Sequence, residues 1–114
     1  MTNYLLMIYD NEAKLAQANA SEIDDVHRRH AEFARANGHA MRGGARLAGS
    51  GSATSIRYNA NGDVSMTDGT FAETKEVLGG YYIVEADDLD EALAIAKQVP
   101  APFGGVEVRP IIPS

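Results

Sequence analysis

The chain has 114 residues, 45% hydrophobic and 23% charged, which fits one domain with its own core and leaves no room for a second, separately folded catalytic unit. Sixteen acidic residues against ten basic ones leave a net charge of −6, so the chain repels a phosphate backbone and nucleic acid is not expected as a partner. With no cysteine there is no disulfide, thiol nucleophile or thiolate metal site; no secretory leader precedes Tyr4 and no apolar run approaches the roughly 20 residues of a membrane span, so no membrane partner and a cytoplasmic address are expected.

Tyr4-Leu5-Leu6-Met7-Ile8-Tyr9 is a continuous apolar run between Asn3 and Asp10-Asn11, the pattern of a strand buried on both faces. The stretch from Asn11 to Ala20 has one large apolar residue, Leu15, and reads as a loop with at most one helical turn. Ser21 with Asp24 resembles an N-cap with an acidic third position. The helix that follows places Ile23, Val26, His30, Phe33 and Ala34 on one stripe and stops at Asn37-Gly38.

His39-Ala40-Met41-Arg42 reads as extended and runs into Gly43-Gly44. Residues 55–60 and 63–67 flank Asn61-Gly62, which predicts a hairpin closed by a two-residue type I′ turn. Gly80-Tyr81-Tyr82-Ile83-Val84-Glu85 is a second doubly apolar strand. Asp87-Asp88 with Glu91 caps the next helix, whose buried stripe is expected to be Leu89, Ala92, Leu93, Ala96 and Val99, ended by Pro100. Val106 to Arg109 alternates as a last strand.

With the hairpin set aside, the order is strand, helix, strand, strand, helix, strand, which predicts an α+β, ferredoxin-like split βαβ unit with one antiparallel sheet. Two helices cover one face of that sheet, and the doubly apolar strands at 4–9 and 81–84 leave oily side chains on the other. A second copy packed face to face is expected to cover them, forming a homodimeric α+β barrel with an enclosed space. Folding of the hairpin back over the open face within one chain is the alternative.

Asp68-Gly69-Thr70-Phe71-Ala72-Glu73-Thr74-Lys75-Glu76, followed by Gly79-Gly80-Tyr81-Tyr82, resembles the YCII-related proteins, specifically the branch named for its Asp-Gly-Pro-Phe motif. The likeness continues through the helix ending at Pro100 and into Val106-Glu107-Val108-Arg109-Pro110, and the opening Tyr4 to Tyr9 strand fits as well. It implies a ferredoxin-like unit over the single domain 1–114 that dimerises through its sheet. Thr70 stands where the motif has proline, which implies a looser turn. In the better-studied branch a histidine is paired with an aspartate just before a proline after the second helix. The resemblance puts that histidine at His27, while the aspartate's place is taken by Val99, before Pro100.

Periodicity makes His30 the buried histidine of the first helix and leaves His27 at the edge of the stripe. The resemblance makes His27 the candidate acid or base. Together with His39 or a carboxylate the two could form a metal site, but without a Glu-x-x-His pattern or a cysteine no metal and no other cofactor is expected. Asp68, Glu73 and Lys75 in the motif loop are candidates for binding a polar ligand, with turn capping and surface pairing as their structural roles. Tyr9, Arg42, Tyr82 and Arg109 combine an apolar body with a polar tip and are candidates for lining the cavity, or for packing and dimer contacts. The glycines at 43–44 and 49–51 lack the Lys-Ser/Thr of a phosphate loop. Two functions remain: a small-molecule lyase or isomerase using His27 in a largely apolar dimer cavity, and a noncatalytic regulatory or protein-binding module, which the resemblance associates with sigma-factor genes.

Overall fold

The computed structural model describes residues 1–71 and 75–114. Its elements in chain order are β1 (Thr2–Asn11), α1 (Glu12–Gln17), α2 (Ala20–Ala36), β2 (Met41–Arg46), β3 (Thr54–Tyr58), β4 (Val64–Asp68), β5 (Glu76–Ala86), α3 (Leu89–Ala96) and β6 (Gly104–Pro110). β2, β5, β1 and β6 lie side by side in that order, every neighbour antiparallel. This is the ferredoxin-like α+β arrangement, with β3 and β4 forming a separate two-stranded hairpin.

Because side chains alternate along a strand, the register decides what each face carries. Leu6 stands opposite Tyr82 on β5 and Val108 on β6, and Ile8 opposite Gly80 and Val106. Tyr4, Leu6, Ile8, Val84 and Ala86 join Phe33 of α2 and Ala92, Ile95 and Ala96 of α3 in the core, with Leu6 and Val84 fully buried. The opposite face carries Leu5, Met7 and Tyr9 from β1, with Tyr81 and Ile83 from β5 and Glu107 and Arg109 from β6 at their sides. α2 and α3 pack on the first face, and the molecule is only 17 Å through its thinnest dimension.

Several boundaries differ from the sequence reading, each for a local reason. α2 begins earlier, because Asn19, not Ser21, is the cap: its side chain accepts from the Glu22 N–H while Glu22 accepts from the Asn19 N–H, a complete capping box. The stretch before it forms α1, capped by Asn11. α3 starts where expected, with Asp88 accepting from the Glu91 N–H. Its buried side is Ala92, Ile95 and Ala96, however, and Leu89 and Leu93, expected inside, are 49% and 36% exposed. Ile95 takes the inward place, joining Leu6 and Val84 in the core cluster.

The hairpin exists, but its turn is not the two-residue type I′ form. That form needs a positive φ at both central residues, and here only Gly62 has one, at +83°. Asn59 instead closes a three-residue loop: its carbonyl accepts from Gly62 N–H, its N–H donates to the Asp63 carbonyl, and its side chain accepts from the Asn61 and Asp63 N–H groups.

Candidate functional site

A cavity of about 770 Å³ opens between α2 and the sheet, on the helix-covered side of a single chain. Ile8, Leu15, Ile23, Val26, Leu47 and Phe103 give it mainly apolar walls. The polar groups that reach it come from α2 (His27 and His30), β2 (Arg46), β5 (Tyr82) and the end of β1 with the start of α1 (Asp10 and Glu12). Apolar walls with a few converging polar groups are the usual make-up of a small-molecule site.

At the rim, Arg46 Nη1 lies 2.6 Å from His27 Nε2. A guanidinium can only donate, so the ring accepts at Nε2 and carries its proton on Nδ1. Arg46 reaches this place because it sits opposite Gly80 in the ladder, on the helix-facing side of β2. Deeper, His30 Nδ1 is 2.8 Å from the Tyr82 hydroxyl, and the Pro100 carbonyl accepts from the same imidazole. The Tyr82 hydroxyl and Nδ1 of His30 thus share one hydrogen bond. Burial pushes His30 below its ordinary value, with the nearby His27 and Arg29 acting the same way and the Pro100 hydrogen bond opposing them. Burial also pushes the Tyr82 phenol up, so it stays protonated as a donor. The Tyr82 ring packs on Phe33, centroids 4.8 Å apart. His30 is therefore held by Tyr82 in the cavity wall, and His27, at the rim, is the one whose partner a ligand can exchange.

Asp10 and Glu12 flank the other end. Glu12 accepts from the Ser50 hydroxyl and, at 3.0 Å, from the Ser50 N–H, which pins the turn after β2 and holds its carboxyl below the ordinary value. Asp10 is partly buried, and burial followed by the charge of Glu12 pushes its carboxyl up. It lies against Gly79, the residue that the register leaves unpaired where Ile8 faces Gly80 and Tyr9 faces Leu78.

Of the candidate site residues that lie among the described residues, His27, His30 and Tyr82 meet in this cavity. Tyr9 and Arg109 belong to the open sheet face, where burial, then the hydrogen bond and charge of Glu107, push the Tyr9 phenol up. Arg42 is a strut: it donates to the His39 and Met41 carbonyls and pairs with Glu85 at 3.2 Å, tying β2 to β5 at a register shift. Asp68 ends β4 and is exposed, Lys75 is exposed before β5, and Glu73 lies outside the described residues. The cavity of a single chain thus lies on the helix side, opposite the sheet face expected to meet a second copy. Among the described residues no cluster of three or more His, Asp or Glu side chains is placed to hold a metal ion, and no helix is long and apolar enough to cross a membrane.

Arg46, Asp10 and Glu12 escaped the sequence reading. A β-strand with two glycines gives no periodicity from which to face Arg46, and Asp10-Asn11 looked like a strand terminus only. The run of an acidic residue at 10 and another at 12 was the available signal.

The YCII-related domain matches residues 2–114 of the chain. An uncharacterized protein of Rhizobium meliloti (strain 1021) is 34% identical over 113 residues, which cover 95% of this chain and 90% of the relative.

Proposed function

We propose, for a chain that belongs to the YCII-related family, that the cavity between α2 and the sheet binds a small organic molecule with an apolar body and one carboxylate or carbonyl oxygen, and that His27 moves a proton on it. The observation that carries this reading is the Arg46–His27 contact of 2.6 Å at the rim of an otherwise apolar cavity. A carboxylate is a stronger partner for a guanidinium than a neutral imidazole nitrogen. An arriving anion therefore draws Arg46 onto itself and leaves the Nε2 lone pair of His27 facing the same ligand, as a base. Proton abstraction beside a carbonyl or carboxylate is the step common to lyases and isomerases, which is the reaction class assigned here. No aspartate orients His27 from the position before Pro100, where Val99 stands buried; Arg46 fixes the tautomer from the other nitrogen.

The reading includes a homodimer joined through the open sheet face. Leu5, Tyr81 and Ile83 are apolar, lie on that face and are only partly buried, a patch that a second copy would cover.

A thermal-shift screen of small carboxylic acids and carbonyl compounds tests the site. Compounds that stabilise the native chain should lose that effect in Arg46→Ala, and any turnover followed by NMR of the compound should vanish in His27→Ala. Stabilisation equal in both variants would remove the assignment. Stabilisation without turnover would leave a noncatalytic binding module using the same cavity.

A further inference from the structure

The hairpin β3–β4 is built as half of an interface. In its ladder Ile56 faces Met66 and Tyr58 faces Val64, so four large apolar side chains share one face. They are 46%, 70%, 75% and 54% exposed, respectively. The alternate positions, Ser55, Arg57, Ser65 and Thr67, make the other face polar. That polar face is the one tied down: the Ser55 hydroxyl donates to the Gly69 carbonyl, and the Arg57 guanidinium lies 4.5 Å from the centre of the Phe71 ring. Among the described residues neither strand joins the main sheet. A two-stranded ribbon of five residues a side is marginal in water by itself, and turning its apolar face outward makes it more so.

The size of the unfilled surface indicates what covers it. A compact monomer of 12.2 kDa exposes about 6,100 Å², whereas this chain exposes 7797 Å². Its radius of gyration is 16.1 Å, against about 13 Å for a compact domain of this length. The excess, about 1,700 Å² per chain, is twice the roughly 800 Å² per partner of a standard interface and falls among obligate homodimers. A second copy supplies a matching area because a two-fold axis applies every contact twice: each hairpin finds the partner's apolar surface while its own sheet face is covered.

We infer that the apolar face of the hairpin, formed by Ile56, Tyr58, Val64 and Met66, docks on a second copy of this chain and clasps the homodimer. The inference rests on the homodimer proposed above, and adds to it a contact that the sheet-to-sheet packing does not require.

Sedimentation velocity on the full chain from 0.1 to about 50 μM tests it, with Tyr58→Thr/Val64→Thr/Met66→Thr as the variant. Threonine keeps strand propensity on the exposed face, and circular dichroism checks that the main sheet persists. The expected result is a dimer for the native chain and at least about a 100-fold rise in the dissociation constant for the variant. As a second readout that needs no destabilised protein, Tyr58 is replaced by the photo-crosslinking residue p-benzoylphenylalanine. Light should then give a covalent dimer, and the same residue at Arg28, on the outer side of α2, should not. A native chain that sediments as a monomer overturns both the homodimer and the clasp. A native dimer whose affinity is unchanged in the triple variant, or crosslinks from Tyr58 that stay within one chain or capture only a different protein, overturns the clasp alone.

Discussion

Tyr82→Phe removes one hydroxyl from the centre of the site and leaves the ring in place. The lost interaction is the 2.8 Å hydrogen bond to His30 Nδ1, while the contact with Phe33 at 4.8 Å is kept. A hydrogen bond between neutral groups contributes about 0.5–1.5 kcal/mol net. The freed Nδ1 borders the cavity and can turn to water there, so the cost belongs near the lower end, about 0.5–1 kcal/mol. For a chain of this length that is a fall in Tm of roughly 2–5 °C. Tyr82→Ala removes the packing too and should cost about 3–5 kcal/mol. The chemistry gives a sharper sign than the stability. The freed ring takes cavity water in place of the hydroxyl, which eases the burial that holds its pKa down, so the His30 pKa should move upward. Urea unfolding measures the first quantity, and the ring ¹⁵N shifts of His30 across pH measure the second. A phenylalanine variant with unchanged stability and an unchanged His30 titration would refute the hydrogen bond.

The remaining expectations concern the core, the pH response and the bulge. Ile95→Ala should cost about 2–4 kcal/mol and Leu93→Ala under about 1 kcal/mol by urea unfolding, since Ile95 is buried and Leu93 is not; equal costs would contradict the orientation of α3. His30 has a folded pKa below its unfolded one, so the unfolded chain takes up a proton first, and stability present above about pH 6.5 should be lost as pH falls toward the folded value. His30→Gln should flatten that slope between pH 7.5 and 5.5, and an unaltered slope would assign it elsewhere. Gly79→Ala puts a methyl group against the Asp10 carboxylate and should destabilise by about 1 kcal/mol; in an Asp10→Ala background most of that cost should disappear, and additive costs would mean the two do not touch.

Much of the fold was legible because the sequence repeats its instructions at several levels. The doubly apolar runs at 4–9 and 81–84 became the two central strands, Asp88 with Glu91 capped α3, and Asn37 ended α2. What misled were local signals with two candidates in reach. Asn19-Glu22 and Ser21-Asp24 both resemble caps, and the complete box won because it satisfies two backbone donors and not one. Asn61-Gly62 suggested a two-residue turn, yet Asn59 accepts two backbone N–H groups and closes a larger one. On α3 a short apolar helix offers more than one stripe, and only packing against the sheet selects Ile95. The site was legible in part for the same reason. His27 and Tyr82 were named, and His30 was expected from its place on the stripe to pack inward. Arg46, though, reaches His27 across nineteen positions of chain, and Asp10 depends on a register shift that alternation cannot reveal. Tyr9 and Arg109 have the same residue character as Tyr82, and only strand parity sends them to the other face.

The most direct measurement is chemical-shift mapping on isotopically labelled protein with any small carboxylate that raises its Tm. The account predicts that the perturbed signals are those of Leu15, Val26, His27, Arg46 and Tyr82, around the cavity beneath α2. Perturbations centred on Leu5, Tyr9, Ile83 and Arg109, with the α2 signals unmoved, would place the ligand on the open sheet face and contradict it.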